Sequence, residues 1–308
     1  MSEACGFTLA IDNVFAVVAG WPLSWYGATY SLGFAGLALW LLMSRRGGWS
    51  AREALGFAIL AAALILLGGR TVEVTVYEWA FYRERPQLIP AVWLGGMATH
   101  GLLLGGVAAC LVHARRSRRR LLEVTDTLAP AAALFLGIGR IGNFLEGGVV
   151  GTETTVPWSV RLPSITGCRH PVALYDGLKN LLLVPTLAGL LRRRPAGTGT
   201  ATGAFLLLYG GLRFAIDQLR DYESVLWGLG PGQWLNLATA ALGLVVLVGW
   251  RDAAPAPPRI ARPAPIGFVR PVVLLLLVLL PLLIPTSWTQ VHLRELREQR
   301  GVAPPAPG

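Results

Sequence analysis

The sequence predicts an all-α integral membrane protein that crosses the bilayer several times. Of its 308 residues, 54% are hydrophobic and only 14% are charged, against roughly 25% in soluble domains. Mean hydropathy is +0.54. The formal charge of +10 comes from arginines clustered between long apolar runs, with Lys179 the only lysine. That distribution is a membrane-topology pattern and gives no reason to expect nucleic acid as a partner.

A spanning helix needs about 20 mostly apolar residues, because the hydrocarbon core is about 30 Å thick. Segments 23–43, 54–72, 91–112, 127–147, 171–191, 201–220, 231–250 and 271–288 qualify, the second, fifth and sixth least cleanly. Loops after the first, third, fifth and seventh spans hold fifteen arginines, including Arg45, Arg46, Arg115, Arg116 and Arg192. The opposite loops and the tail hold seven, such as Arg83 and Arg169. The positive-inside rule therefore places both termini outside. The opening MSEACGF has no positive stretch, so no cleaved signal peptide is expected. Residues 251–270, rich in Pro, Ala and Arg, read as a cytoplasmic linker. Residues 271–308 read as an extra transmembrane anchor with a short tail, its uniformly apolar span facing lipid. Cys5, Cys110 and Cys168 show no metal-ligand or disulfide spacing and read as fillers or lone thiols.

Residues 137–151 read GIGRIGNFLEGGVVG, and the first six fit a dinucleotide-binding turn. That reading needs a preceding strand, whereas TDTLAPAAALFL before Gly137 is a continuous apolar run. The glycines instead suit close helix packing and close ligand approach beside Arg140.

Each charge inside a span costs about 2.5–3.5 kcal/mol on insertion scales, so each calls for a reason. Arg140 has only Leu136, Gly137, Asn143 and Phe144 at i±4 and i±3, which points to an anion from outside the chain. Tyr209, Arg213 and Asp217 recur every fourth residue and share a helix face. Asp176 and Lys179, three apart, read equally as a self-neutralising ion pair. His100, flanked by glycines, reads as a packing residue or as a proton acceptor. The sequence has no H-E-x-x-H and no G-x-S-x-G, which disfavours a metalloprotease and a serine hydrolase. Two arginines, a histidine, a carboxylate and tyrosines suit an anionic lipid head group and a proton transfer. No cofactor and no metal are expected.

These residues carry a family resemblance. GRIGNF at 139–144 resembles the signature of bacterial prolipoprotein diacylglyceryl transferases. PLSWYGATYSLGF at 22–34, LGGR at 67–70, GGMATHGLLLGG at 95–106, HPVALYDG at 170–177 and FLLLYGGLRFAIDQLR at 205–220 are similar to further motifs of that family, in order. The resemblance covers residues 20–250 and implies a seven-span bundle, here with an eighth C-terminal span and with residues 1–250 as the transferase domain. It implies a multi-pass enzyme of the bacterial cytoplasmic membrane, amino terminus outside. The implied reaction moves the diacylglyceryl group of phosphatidylglycerol to the lipobox cysteine of a preprolipoprotein, forming a thioether and releasing glycerol phosphate. The matching positions are Tyr26, His100, Arg140, Asn143, Tyr209, Arg213 and Asp217. Arg140 and Arg213 would hold the phosphate, His100 would accept the thiol proton, and Asp217 would orient Arg213. Asn143 and Tyr26 would hydrogen-bond the head group, and Tyr209 would help bind substrate.

The sequence departs from the family at four places. The acid expected at Gly148 is missing, and Glu146 is the nearest substitute. Asp217 replaces a glutamate, Leu102 replaces a glycine, and the last span is extra. Two other readings stay open: a weakened paralogue that binds phospholipid or lipoprotein without transfer, and an unrelated carrier of anionic solutes.

Overall fold

The computed structural model describes residues 5–11, 14–19, 21–44, 48–91, 97–147, 149–162, 165–221, 227–250, 254 and 265–284. Within them the chain is largely helical. Four helices are long and apolar enough to cross a bilayer: Trp25–Met43, Ala51–Val76, Leu121–Glu146 and Gly232–Gly249. The chain divides into two compact units, one of Met1–Asn13 and Thr125–Pro257, the other of Val14–Val124 and Pro258–Pro307.

The first unit holds α5 (Leu121–Glu146, of which residues from Thr125 belong here), α6 (Val172–Arg193), α7 (Thr200–Asp217) and α8 (Pro231–Gly249). Gly203, Gly210 and Gly243 let α7 and α8 touch backbone to backbone. A Cβ at Gly243 would lie 2.3 Å from the Leu207 nitrogen, and one at Gly210 2.5 Å from the Asn236 carbonyl. In a bilayer, where lipid is as apolar as leucine, such close approach is what holds helices together. The turn between α6 and α7 is clamped from α5. The buried Asp126 carboxylate accepts from the backbone N–H of Gly197, Gly199 and Thr202 at 2.8–2.9 Å and from the Thr202 hydroxyl. It thereby satisfies donors that the start of α7 would otherwise leave unpaired.

Outside the helices this unit carries strands that the all-α expectation did not include. β1 (Phe7–Thr8) runs parallel to β4 (Val160–Arg161), over a small core of Leu9, Val160 and Leu162. A disulfide joins Cys5 to Cys168 across 163 residues, correcting the reading of both as lone thiols. The strand pairing that brings them together has no local signal in the sequence.

The second unit begins with a hairpin of β2 (Val14–Val18) and β3 (Trp21–Ser24) that leads into α1 (Trp25–Met43). The Ser24 hydroxyl caps α1 by accepting from Gly27 N–H at 3.0 Å. α2 (Ala51–Val72) continues through a π-helical turn, Glu73–Tyr77, and meets α4 (Thr99–Ser117) antiparallel. Gly68, Gly101 and Gly105 form that contact: a Cβ at Gly101 would lie 2.1 Å from the Gly68 carbonyl. Between them, α3 (Trp79–Tyr82) and a 3₁₀ turn (Pro86–Leu88) are tied down by the buried Arg70 of α2. Its guanidinium donates to the Ile89, Leu88 and Ala91 carbonyls and stacks on the Tyr82 ring. The third span was expected from residue 91; α4 starts at Thr99, and 92–96 lie outside the described residues. Beyond its other end Arg119, counted among the loop arginines after the third span, is buried. It pairs with Glu53 at 2.7 Å and with Glu123, donates to the Gly48 carbonyl and stacks on Trp49.

α9 (Val269–Leu279) and a 3₁₀ turn (Leu280–Leu283) complete this unit. Most of the expected linker 251–270, and everything beyond Ile284, lie outside the described residues. The apolar helix Val269–Leu283 is about 22 Å long at 1.5 Å per residue, short of the expected span. Leu274 packs on Ala38, Leu55 and Ala58, so one face of this helix is covered by protein.

Asp126→Ala should orphan three backbone donors and cost about 2–3 kcal/mol or more. We expect a lowered apparent melting temperature of the purified protein, with Asp126→Asn intermediate; an unchanged midpoint in both would contradict the clamp.

Candidate active site

Three helices of the first unit converge on one carboxylate, and a fourth joins them through a second. Asp176, in α6, is fully buried. Its Oδ2 takes Arg140 Nε of α5 at 2.6 Å and Arg213 Nη1 of α7 at 2.7 Å, while Lys179 Nζ lies 2.9 Å from Oδ1. Arg213 Nη2 reaches Asp217 Oδ1 at 2.9 Å, and Asp217 Oδ2 accepts from Asn236 Nδ2 of α8 at 2.6 Å. Arg140 Nη1 donates to Asn143 Oδ1 at 3.1 Å. Lys179 donates to the Tyr209 carbonyl at 3.2 Å and lies 4.0 Å above the Tyr209 ring.

Local sequence explains the convergence. Gly137 and Gly177 face each other, so that a Cβ at Gly177 would sit 3.4 Å from Arg140 Cβ and from the Gly137 carbonyl. No bulk separates α5 from α6, and the guanidinium reaches Asp176. On α7, the four-residue spacing stacks Tyr209, Arg213 and Asp217 on one face, so Asp217 holds Arg213 from one turn below. Arg140 therefore has a counter-ion after all. Local spacing excludes one on α5, and α6 supplies it.

Two guanidiniums sharing one carboxylate oxygen are held close together in a water-poor setting. Arginine presents five N–H donors, and Arg213 uses one on each terminal nitrogen for these ion pairs. Such a pair suits a phosphate, whose oxygens can engage both forks.

The family model for prolipoprotein diacylglyceryl transferase matches residues 13–249. The chain belongs to the prolipoprotein diacylglyceryl transferase family. Relatives named phosphatidylglycerol–prolipoprotein diacylglyceryl transferase share 37% identity over 253 residues in Methylibium petroleiphilum, covering 77% of this chain and 95% of that protein. In Idiomarina loihiensis the identity is 34% over 255 residues, 80% of this chain and 96% of the relative. In Nitrosomonas europaea it is 36% over 249 residues, 77% and 88% respectively. The family match includes the whole Asp176 cluster and stops before α9.

Of the sequence-derived candidates, Arg140, Asn143, Tyr209, Arg213 and Asp217 meet in this cluster. Glu146 lies half-buried in the last turn of α5, which Gly147 ends with φ +72°; Gly148 lies outside the described residues. Tyr26 and His100 belong to the second unit. The Tyr26 hydroxyl is 3.0 Å from that of Tyr30. His100 sits in the first turn of α4, and its side chain lies outside the described residues. Sequence reasoning missed the hub: it weighed Asp176 evenly between an ion pair with Lys179 and a functional role, without Arg140 or Arg213 as partners, and did not single out Asn236. The signal was available, because a carboxylate and an asparagine inside apolar spans each need partners.

Breaking a buried ion pair by removing one partner costs about 3–5 kcal/mol. Asp176→Asn should therefore lower the apparent melting temperature sharply, and Asp176→Asn with Lys179→Met should recover part of the loss by removing one cation. Equal midpoints for all three proteins would show that the cluster is not organised by Asp176.

Proposed function

We propose that this chain is a multi-pass enzyme of the bacterial cytoplasmic membrane, with seven spans, an eighth C-terminal apolar segment and its amino terminus outside. It transfers the diacylglyceryl group of phosphatidylglycerol to the lipobox cysteine of a preprolipoprotein. The observation that carries this is the convergence of Arg140 and Arg213 on Asp176 Oδ2 within a chain of this family. The disulfide at Cys5 supports an external amino terminus, since disulfides persist on the oxidising side of a membrane.

The cysteine sulfur attacks the glyceryl carbon that bears the phosphate. A carbon–sulfur bond forms, the carbon–oxygen bond breaks, and the bonding electrons leave with glycerol phosphate. The leaving group gains one negative charge over the phosphodiester. Arg140 and Arg213 are most valuable there, because they meet a charge that grows in the transition state. Asp217 and Asn236 keep Arg213 in place, and Asn143 does the same for Arg140. His100 accepts the proton of the attacking thiol. Tyr26, Tyr209 and Glu146 contact the head group. Binding without transfer is the less favoured reading, since the relatives are named as transferases and Arg140, Asn143 and Arg213 are all present.

Complementation of a host depleted of its own transferase, read by the mobility of a lipoprotein substrate, tests this directly. Wild type should restore lipidation, and Arg140→Ala should abolish it while still inserting in the membrane. His100→Gln should retain phosphatidylglycerol binding and lose turnover, with partial recovery above the thiol pKa. Failure of the wild type, or wild-type rates in Arg140→Ala, would overturn the assignment.

A further inference from the structure

Residues 5–11 precede the residues matched by the family model, which begin at 13, yet they are built into the unit that carries the Asp176 cluster. Phe7 N–H donates to the Ser159 carbonyl at 3.1 Å and Leu9 N–H to the Arg161 carbonyl at 3.0 Å, which lays β1 along β4. β4 is itself held, because Val160 exchanges both backbone hydrogen bonds with Arg169. Gly6 leaves no room for a side chain: a Cβ there would run into the Pro157 carbonyl. Cys5 closes the arrangement by its disulfide to Cys168, four residues before α6 begins.

The strand reaches the end of α5 that carries Arg140. The Phe7 and Phe144 rings lie 6.1 Å apart and tilted, a favourable aromatic contact. The buried Leu9 packs on Phe144 as well, and its side chain lies beside Gly147, where the helix stops. Phe144 follows Asn143 and stands one turn after Arg140 on the same helix face. That turn is poorly supported from within, since Gly139 and Gly142 stand on either side of Arg140 and glycine weakens a helix. Tertiary contacts must fix it, and β1 supplies two. A two-residue strand at a chain end frays unless it is tied down, and here the disulfide ties it.

We propose that Phe7 is a positioning residue for the active site: with Leu9 beside it and the Cys5–Cys168 disulfide holding both, it braces the turn of α5 that presents Arg140 and Asn143. Phe7 acts through Phe144 and not on substrate. The consequence for catalysis rests on the transferase reading, whereas the brace itself does not.

The test uses the full-length protein in nanodiscs of phosphatidylcholine and phosphatidylglycerol, as wild type, Phe7→Ala, Cys5→Ser and the conservative Phe7→Tyr, which keeps the ring at a partly exposed position. One readout is amide hydrogen exchange in the peptide covering residues 140–147. The other is kcat and KM for transfer to a lipobox peptide. Phe7→Ala and Cys5→Ser should speed exchange at 140–147 several-fold and leave α8 unchanged, and Phe7→Tyr should match the wild type. The same two variants should raise KM for phosphatidylglycerol and lower kcat/KM roughly ten- to a hundredfold, the scale for a site displaced from a distance. Partial unfolding would instead lower kcat and leave KM as it was. Unchanged exchange at 140–147 in both variants overturns the brace, and faster exchange with unchanged KM overturns the positioning role. If the wild type transfers nothing, the transferase reading falls and the exchange measurement still decides the brace.

Discussion

A carboxylate cannot be taken out of water unless cations and hydrogen bonds come with it, and the helices of the first unit are arranged around that requirement. Asp176 draws Arg140 from α5, Lys179 from its own helix and Arg213 from α7. Asp217 and Asn236 extend the network to α8. Each of these groups alone would be expensive in a bilayer; together they solvate one another. The glycine contacts are the steric side of the same constraint. A Cβ at Gly137 would lie 2.8 Å from the Leu181 side chain and 3.2 Å from its nitrogen, so bulk there would push α6, and Asp176 with it, away from Arg140.

The same network makes α6 and α7 less membrane-like by composition, whereas α5 and α8, which supply Arg140 and Asn236, stay apolar enough to span. α6 and α7 are not among the four helices long and apolar enough to span, because they hold the charges. A catalytic membrane protein gives up insertion energy to keep a polar site, and tertiary ion pairing offsets part of that cost. In the proposed phosphate site, a substrate phosphate would meet two guanidiniums already held together, so binding would not have to overcome their mutual repulsion afresh.

Much of this was legible in the residues. The four-residue spacing of Tyr209, Arg213 and Asp217 gives the α7 face directly, and the run of glycines around Arg140 announces close packing. What was not legible came from contacts between distant segments. Nothing near Arg140 on α5 shows that its counter-ion stands on α6. Cys5 and Cys168 are joined only because β1 pairs with β4, and strands of two residues leave no periodic trace. Arg119 looks like its neighbours Arg118 and Arg120 until Glu53 and Trp49 are brought to it by the fold. Arg70, visible only as part of a motif, fastens a loop of carbonyls nearly twenty residues away in the chain.

The central claim is that Arg140 and Arg213 form a phosphate site organised by Asp176. Its most direct test is the ³¹P spectrum of a small fraction of phosphatidylglycerol in phosphatidylcholine nanodiscs containing the purified protein. With wild type, a bound phosphodiester resonance should appear, shifted from bulk lipid. Arg213→Lys keeps the charge but loses the planar fork, so in the folded variant that resonance should collapse into the bulk signal. A shifted resonance that persists unchanged in Arg213→Lys and in Arg140→Ala would mean that the phosphate is held elsewhere.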